Sequence, residues 1–126
     1  MRAETLGTIE AIRRTLDLLA QRMDHETARH RLEEFDARIE DPNLWNDPER
    51  AQSLMRERQQ LIDALGTFDS ISRDLADNVE LIELGEMEGD KDIVTEAEAA
   101  LKLLGEKAAA KELEALLDGE ADGNDT

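Results

Sequence analysis

The sequence predicts an all-α protein: an antiparallel up-and-down helical bundle of three to four helices with one long central helix. Glutamate, alanine, leucine and arginine are abundant and only three residues are aromatic, which is typical of helices with an aliphatic core. Apolar residues recur at steps of three and four along most of the chain. Both prolines fall within residues 41–52, so the strongest helix breakers are confined to one place. A chain of 126 residues should form one domain with a modest core.

The charge is strongly negative and unevenly spread. Residues 1–60 contribute −3 (10 Lys and Arg against 13 Asp and Glu) and residues 61–126 contribute −14 (5 against 19) to the net charge of −17. This acidity disfavours phosphate backbones and anionic lipids, so we expect no autonomous nucleic-acid binding and no membrane association. The chain has no cysteine, no apolar run of roughly 18 residues and no signal-peptide pattern, which predicts a soluble, cytoplasmic protein.

Two helices are expected before residue 41, with one bent helix as the alternative. Asp24 fits an N-cap at the point where the apolar spacing breaks. No glycine or proline separates the two segments, so the choice stays open. The expected apolar stripes consist of Ile9, Ile12, Leu16, Leu19 and Met23, and then of Ala28, Leu32, Phe35 and Ile39.

Residues 41–52 are expected to form a corner that folds one helical hairpin onto the next. Pro42 should end the helix before it, because proline lacks an N–H and displaces its predecessor from helical geometry. Asp47 suits the N-cap of the next helix and Pro48 its first position. Leu44 and Trp45 are apolar residues within this loop, so we expect them to plug the end of the core, with Trp45 largely buried. A binding anchor at Trp45 is the alternative.

A long helix is predicted from residue 48 to about residue 84. Its apolar residues follow heptad spacing through five repeats, and the width of the stripe suits contact with two neighbours rather than a two-stranded coiled coil. Arg58 interrupts the stripe and should either extend its charged end into water or fix the helix register through a nearby glutamate. Gly66 lies off the stripe and weakens the helix by about 1 kcal/mol. The stripe consists of Ala51, Leu54, Arg58, Leu61, Leu65, Phe68, Ser72, Leu75, Val79 and Ile82.

A fourth helix is expected after Gly85–Asp92, where two glycines and alternating acids end the long helix. Its N-cap could be Asp90, Asp92 or a capping box formed by Thr95 and Glu98. The expected inward residues are Val94, Ala97, Leu101, Leu104 and Ala108, continued on a drifted face by Leu113, Leu116 and Leu117.

No residue pattern indicates catalysis, a cofactor or a metal, so we predict no catalytic, cofactor-binding or metal-binding residues. His25 and His30 are five residues apart, which places their rings about 140° apart on a helix, and we expect surface or packing histidines. A di-iron or di-manganese bundle would need Glu-x-x-His pairs, which neither histidine forms. No serine stands beside a histidine, and the glycines form no phosphate-binding spacing.

The corner and its flanking helices carry a family resemblance. The segments LEEF (32–35), EDPNLWNDPERAQ (40–52) and RER (56–58) resemble the N-terminal region of the bacterial peptide chain release factor 2 family. The family pattern is a glutamate-rich helix, a Pro-x-x-Trp-Asn-(Asp/Glu)-Pro-Glu-Arg-Ala-Gln corner and a long helix. The similarity covers most of this chain and the first third of the family's length.

The resemblance implies a domain of a class I release factor that terminates translation at UGA and UAA. It also implies contact with the ribosome at the stalk base of the large subunit and with the release-factor GTPase, by a monomeric domain. The family's Ser-Pro-Phe and Gly-Gly-Gln motifs do not occur in these residues, so the chain itself is expected to be non-catalytic. Residues 1–118 would form the acidic bundle, and residues 119–126 a polar linker or disordered tail leading to the missing body. An independent acidic helical adaptor is the alternative; the reading frame beyond residue 126 distinguishes the two.

Overall fold

The computed structural model describes the backbone of residues 1–124 and the side chains through Leu117. Within this part the elements in chain order are α1 (Ala3–Met23), α2 (His25–Ile39), a 3-10 helix (Pro42–Asn46), α3 (Pro48–Glu88) and α4 (Lys91–Asn124). The predicted all-α bundle with a long central helix is confirmed: α3 has 41 residues. In the part of the chain that the structure describes, no helix combines the length and the apolar content that a membrane span requires.

The break between α1 and α2 lies at Asp24, which resolves the choice between two helices and one bent helix. Asp24 adopts a left-handed conformation, with φ of 48° and ψ of 83°. Its carboxylate accepts hydrogen bonds from the Thr27 amide at 3.4 Å and from the Thr27 hydroxyl at 2.9 Å. Aspartate tolerates this backbone conformation better than most residues and caps the new helix at the same time.

The end of α3 is formed by Gly89 rather than by Gly85. Gly89 has a φ of 71°, and the amide of Asp90 donates to the carbonyl of Gly85 at 2.8 Å. This is a Schellman C-cap with glycine at the left-handed position. Asp90 then caps α4, because its Oδ1 accepts from the amides of Asp92 at 3.2 Å and Ile93 at 3.3 Å. Of the three predicted N-caps, the structure therefore selects Asp90.

The described chain divides into two compact units, and the expectation of one acidic bundle over residues 1–118 remains a prediction. The first unit contains residues 1–19 and the chain from residue 70 onward, and the second contains residues 20–69. The backbone of α4 continues through Asn124, while residues 125 and 126 lie outside the described part. The expectation that residues 119–126 form a linker into a further body remains a prediction.

The first unit packs α1, the second half of α3 and α4 around an aliphatic core. The amino group of Met1 lies 2.7 Å from the Glu86 carboxylate, and Leu16 lines a groove with Ser72, so α1 runs antiparallel to the second half of α3. Thr15 donates to Glu112 at 3.0 Å, and α1 begins beside the early part of α4, so these two helices run parallel. The buried apolar residues of this unit are Ile9, Ile12, Leu16, Ile71, Leu75, Ile82, Ala97, Leu101, Leu104 and Ala108.

Two details of this core correct the predicted stripes. Ile71 is fully buried, although the heptad reading assigned its neighbour Ser72 to the core; an α-helix has 3.6 residues per turn, so its buried face drifts away from a strict seven-residue repeat. The three leucines expected to extend the inward face of α4 are instead exposed: Leu113, Leu116 and Leu117.

The second unit is a helical hairpin formed by α2 and the first half of α3. The Nε of the half-buried Arg58 donates to Asp36 of α2 at 2.7 Å, so its partner is an aspartate and not the predicted glutamate. The corner therefore joins the two arms of one hairpin and does not fold one hairpin onto the next. Phe68 is half-buried, not central to the core as the stripe predicted. The buried cluster is Phe35, Leu44, Ala51 and Leu54, with Ile39 and Leu61 alongside.

Glu98 links α4 to the start of α1 and does not form the predicted capping box. Arg2 donates to it from two of its three guanidinium nitrogens, Nε to Oε2 at 3.0 Å and Nη2 to Oε1 at 2.9 Å, and the Thr5 hydroxyl donates to Oε2 at 2.6 Å. The hydrogen bonds from Arg2 and then from Thr5 hold the pKa of Glu98 below its ordinary value.

We expect this carboxylate to make the protein less stable in acid. Because the pKa of Glu98 is lower in the folded state, its contribution is complete above the unfolded pKa of about 4.3 and is lost as the pH falls through the folded value. Glu98→Gln should lower the melting temperature at pH 7 and reduce the further loss between about pH 5 and pH 3. The control Glu96→Gln, at an exposed position of the same helix, should leave both unchanged. Identical pH profiles for wild type and Glu98→Gln would contradict this assignment.

Candidate partner-binding surface at the Trp45 corner

The corner is a single 3-10 turn with an aspartate cap at each end. Asp41 has an extended backbone and accepts the Asn43 amide at 3.0 Å. Asp47 ends the turn and accepts the Arg50 amide at 3.3 Å, so it is the N-cap of α3 as predicted. α2 ends at Ile39, shortly before Pro42, and α3 begins at Pro48, so both prolines act as predicted. The two caps give this short loop a defined backbone conformation.

Leu44 and Trp45 point in different directions. Leu44 is 9% exposed and belongs to the buried cluster of the hairpin, as predicted. Trp45 is 53% exposed, so the prediction that it plugs the core is wrong. A 3-10 helix has three residues per turn, which separates consecutive side chains by about 120°, so only one of two neighbours can face the core.

The exposed indole is nevertheless held in place. Its Nε1 donates to the backbone carbonyl of Ile39 at 2.9 Å, which ties the ring to the end of α2. An exposed tryptophan with a satisfied N–H presents a large apolar surface without an unpaired polar atom. Such residues are common binding hot spots, and a ring that is already ordered loses little freedom on binding. The structure thus favours the alternative reading of Trp45 as a binding anchor.

The surroundings of the indole in the chain are exposed and acidic. Residues 38–50 carry two arginines and four acids, a net charge of −2. All six of these charged side chains belong to exposed residues: Arg38, Glu40, Asp41, Asp47, Glu49 and Arg50. Complementarity therefore favours a partner surface with an apolar socket and a basic rim over a phosphate backbone.

The two histidines do not form a site. The His25 ring packs on the Phe68 ring, with 5.0 Å between centroids, and its Nε2 lies 3.6 Å from Asp69 Oδ1. His30 has a largely exposed side chain whose Nδ1 lies 3.8 Å from Glu33. Across the described residues, no group of three or more His, Cys, Asp or Glu side chains is arranged to hold a metal ion.

Comparison with known proteins extends the resemblance from the corner to the entire chain. Residues 28–126 match the PCRF domain. Peptide chain release factor 2 of Roseobacter denitrificans is 68% identical over 126 residues, which is 100% of this chain and 34% of the relative. The corresponding protein of Ruegeria sp. is 65% identical over 99% of this chain and 33% of the relative. That of Paramagnetospirillum magneticum is 48% identical over 99% and 34%.

This chain thus spans about a third of the length of the curated relatives it matches. The identity extends far beyond the corner, and the hypothesis of an independent adaptor that shares only this segment is not favoured.

Proposed function

Because this chain belongs to the PCRF domain family, we propose that it is the N-terminal domain of a class I release factor that terminates translation at UGA and UAA codons. The proposal is supported by relatives named peptide chain release factor 2 that match the whole chain with a third of their own length. The domain is non-catalytic in this proposal, since neither Gly-Gly-Gln nor Ser-Pro-Phe occurs in its sequence. It works in the cytoplasm, as a part of a factor bound to the ribosome.

The role of the domain is to contact a protein partner through the Trp45 corner. The partner is a protein of the large-subunit stalk base or the release-factor GTPase. The observation that carries this assignment is the 53% exposed indole fixed by its hydrogen bond to Ile39. A net charge of −17 gives the domain no general affinity for ribosomal RNA, so a protein with a basic rim is the better match.

The domain's role is tested by removing it. A full-length factor with and without residues 1–118 is assayed for peptide release on pretermination ribosomes, in single turnover at saturating factor. We expect the chemical step and the discrimination of stop codons to be retained, while binding or GTPase-stimulated turnover changes. Loss of codon discrimination or of the chemical step, with binding intact, would overturn the proposal.

Trp45→Ala in the full-length factor tests the corner itself. Loss of a central aromatic anchor costs about 2 kcal/mol or more of binding energy, so we expect partner affinity to fall roughly 30-fold. The matched control is Met87→Ala, which truncates a large apolar side chain that is 86% exposed on α3. Binding of factor to pretermination ribosomes and to the purified GTPase is measured at several salt concentrations. Equal affinities for wild type and Trp45→Ala in both assays would exclude the corner as the contact surface.

A further inference from the structure

Helix α4 is apolar on two opposite faces, only one of which is covered in the described chain. Its inner face holds the buried residues of the first unit, among them Leu101, which is 0% exposed. Its outer face holds Leu103 at 66%, Leu113 at 57% and Leu117 at 54% exposure, with Leu116 at 40% nearby. A contiguous exposed apolar patch on a helix usually marks a surface that packs against another element. The outer face of α4 therefore lacks a cover.

The outer apolar residues form an ordered line rather than a scatter. Leu103, Ala110 and Leu117 are separated by seven residues each, Ala99 lies four residues before Leu103, and Leu113 lies between Ala110 and Leu117. All five are exposed, and we call them the outer seam. This is the spacing by which one helix packs along another.

We propose that in the full-length protein the outer seam packs against a helix from the part of the polypeptide that lies outside residues 1–126. This inference rests on the proposed function, which makes the chain one domain of a larger factor. The relatives have about two-thirds of their length outside the matched region, so a tethered partner of sufficient size exists in them. The seam then forms an interface between this domain and the rest of the protein.

The size and charge of the seam argue against a second copy as its occupant. The three exposed leucines of the seam present on the order of 300 Å² of apolar surface, less than half of the ~800 Å² that each partner buries in a stable dimer. Two copies would also bring together net charges of −17 each. A segment of the same polypeptide needs less contact area, because tethering supplies an effective concentration of about millimolar.

The polar residues along the seam indicate what the covering helix should offer. Glu106 is exposed and lies on the line of the seam between Leu103 and Ala110. A helix that covers the seam would place this carboxylate against its own surface, and burial of an unpaired charge is costly. The covering helix should therefore carry an apolar stripe with one cation opposite Glu106.

The proposal is tested by cysteine labelling in the full-length factor. Leu113→Cys and, separately, Leu117→Cys introduce a thiol on the outer seam, and Met87→Cys places one at an 86% exposed position of α3 as the matched control. Maleimide modification of each site is followed over time by peptide mass spectrometry at submicromolar protein concentration. We expect both seam thiols to react at least tenfold more slowly than the thiol at position 87.

Each other outcome overturns the proposal in a recognisable way. Rates equal to that of the control mean that the seam is uncovered in the full-length protein. Protection that appears only as the protein concentration rises assigns the seam to a second copy, and protection that appears only on ribosomes assigns it to a ribosomal component. Peptide release by the same variants is measured in parallel. Fast labelling together with normal release would refute the proposal that the seam is covered, but it would not contradict the proposed function.

Discussion

Replacing Leu101 with alanine is expected to lower the free energy of unfolding by about 2–5 kcal/mol. Leu101 is 0% exposed and lies at the centre of the α4 face that packs into the first unit. Truncation removes buried apolar surface and leaves a cavity that the surrounding helices fill only in part. Leu103 is the same residue type two positions later, about 200° around the helix, and is 66% exposed. Its replacement should change stability by no more than about 0.5 kcal/mol.

Urea denaturation of the two variants measures the free energy of unfolding of each. Both variants have the same length and the same leucine-to-alanine change, so they differ only in the position of that change. A loss below about 1 kcal/mol for Leu101→Ala would place Leu101 outside the core. A large loss for Leu103→Ala in the full-length factor but not for residues 1–126 alone would add support to a covered outer seam. The pair therefore reports both on the core and on the opposite face of α4.

Gly85→Val is expected to destabilise the protein by about 1–3 kcal/mol, because it adds atoms to a filled space. A Cβ at position 85 would lie 2.7 Å from Cγ2 of Val94 and 3.1 Å from the carbonyl oxygen of Asp90. The valine methyl could rotate away, but the carbonyl belongs to the turn that joins α3 to α4. Separation of these two helices would then be needed to relieve the contact.

Gly66→Val is the matched control, since a Cβ at Gly66 would have no neighbour within 4 Å. Valine has a somewhat higher helix propensity than glycine, so this variant should be neutral or stabilised by a few tenths of a kcal/mol. Thermal and chemical denaturation of both variants give the comparison. Equal stability of the two would show that the close approach at Gly85 is absent in solution.

Only some features of the Trp45 corner follow from local sequence pattern. Leu44 and Trp45 were recognisable as unusual because they are apolar residues within a loop. The aspartate caps of the corner and the roles of its prolines were also predictable from the sequence. Which of the two side chains entered the core depended on a 3-10 turn and on the indole hydrogen bond to Ile39. Neither the 3-10 turn nor this hydrogen bond is predicted by the sequence as clearly as a helix cap or an apolar stripe is.

The sequence by itself determined the apolar helical segments, the long central α3 and the cap at Asp47, because these depend on residues within a few positions of one another. The structure decided between the alternatives that the sequence left open at Asp24 and Asp90. It also determined the family, through a corner whose residues are unusual in combination. Only the tertiary structure decided that Ile71 is buried, that Trp45 is exposed and that α4 keeps a second apolar face uncovered. Periodicity identifies an apolar face, but its burial depends on segments distant in the chain that come to lie against it.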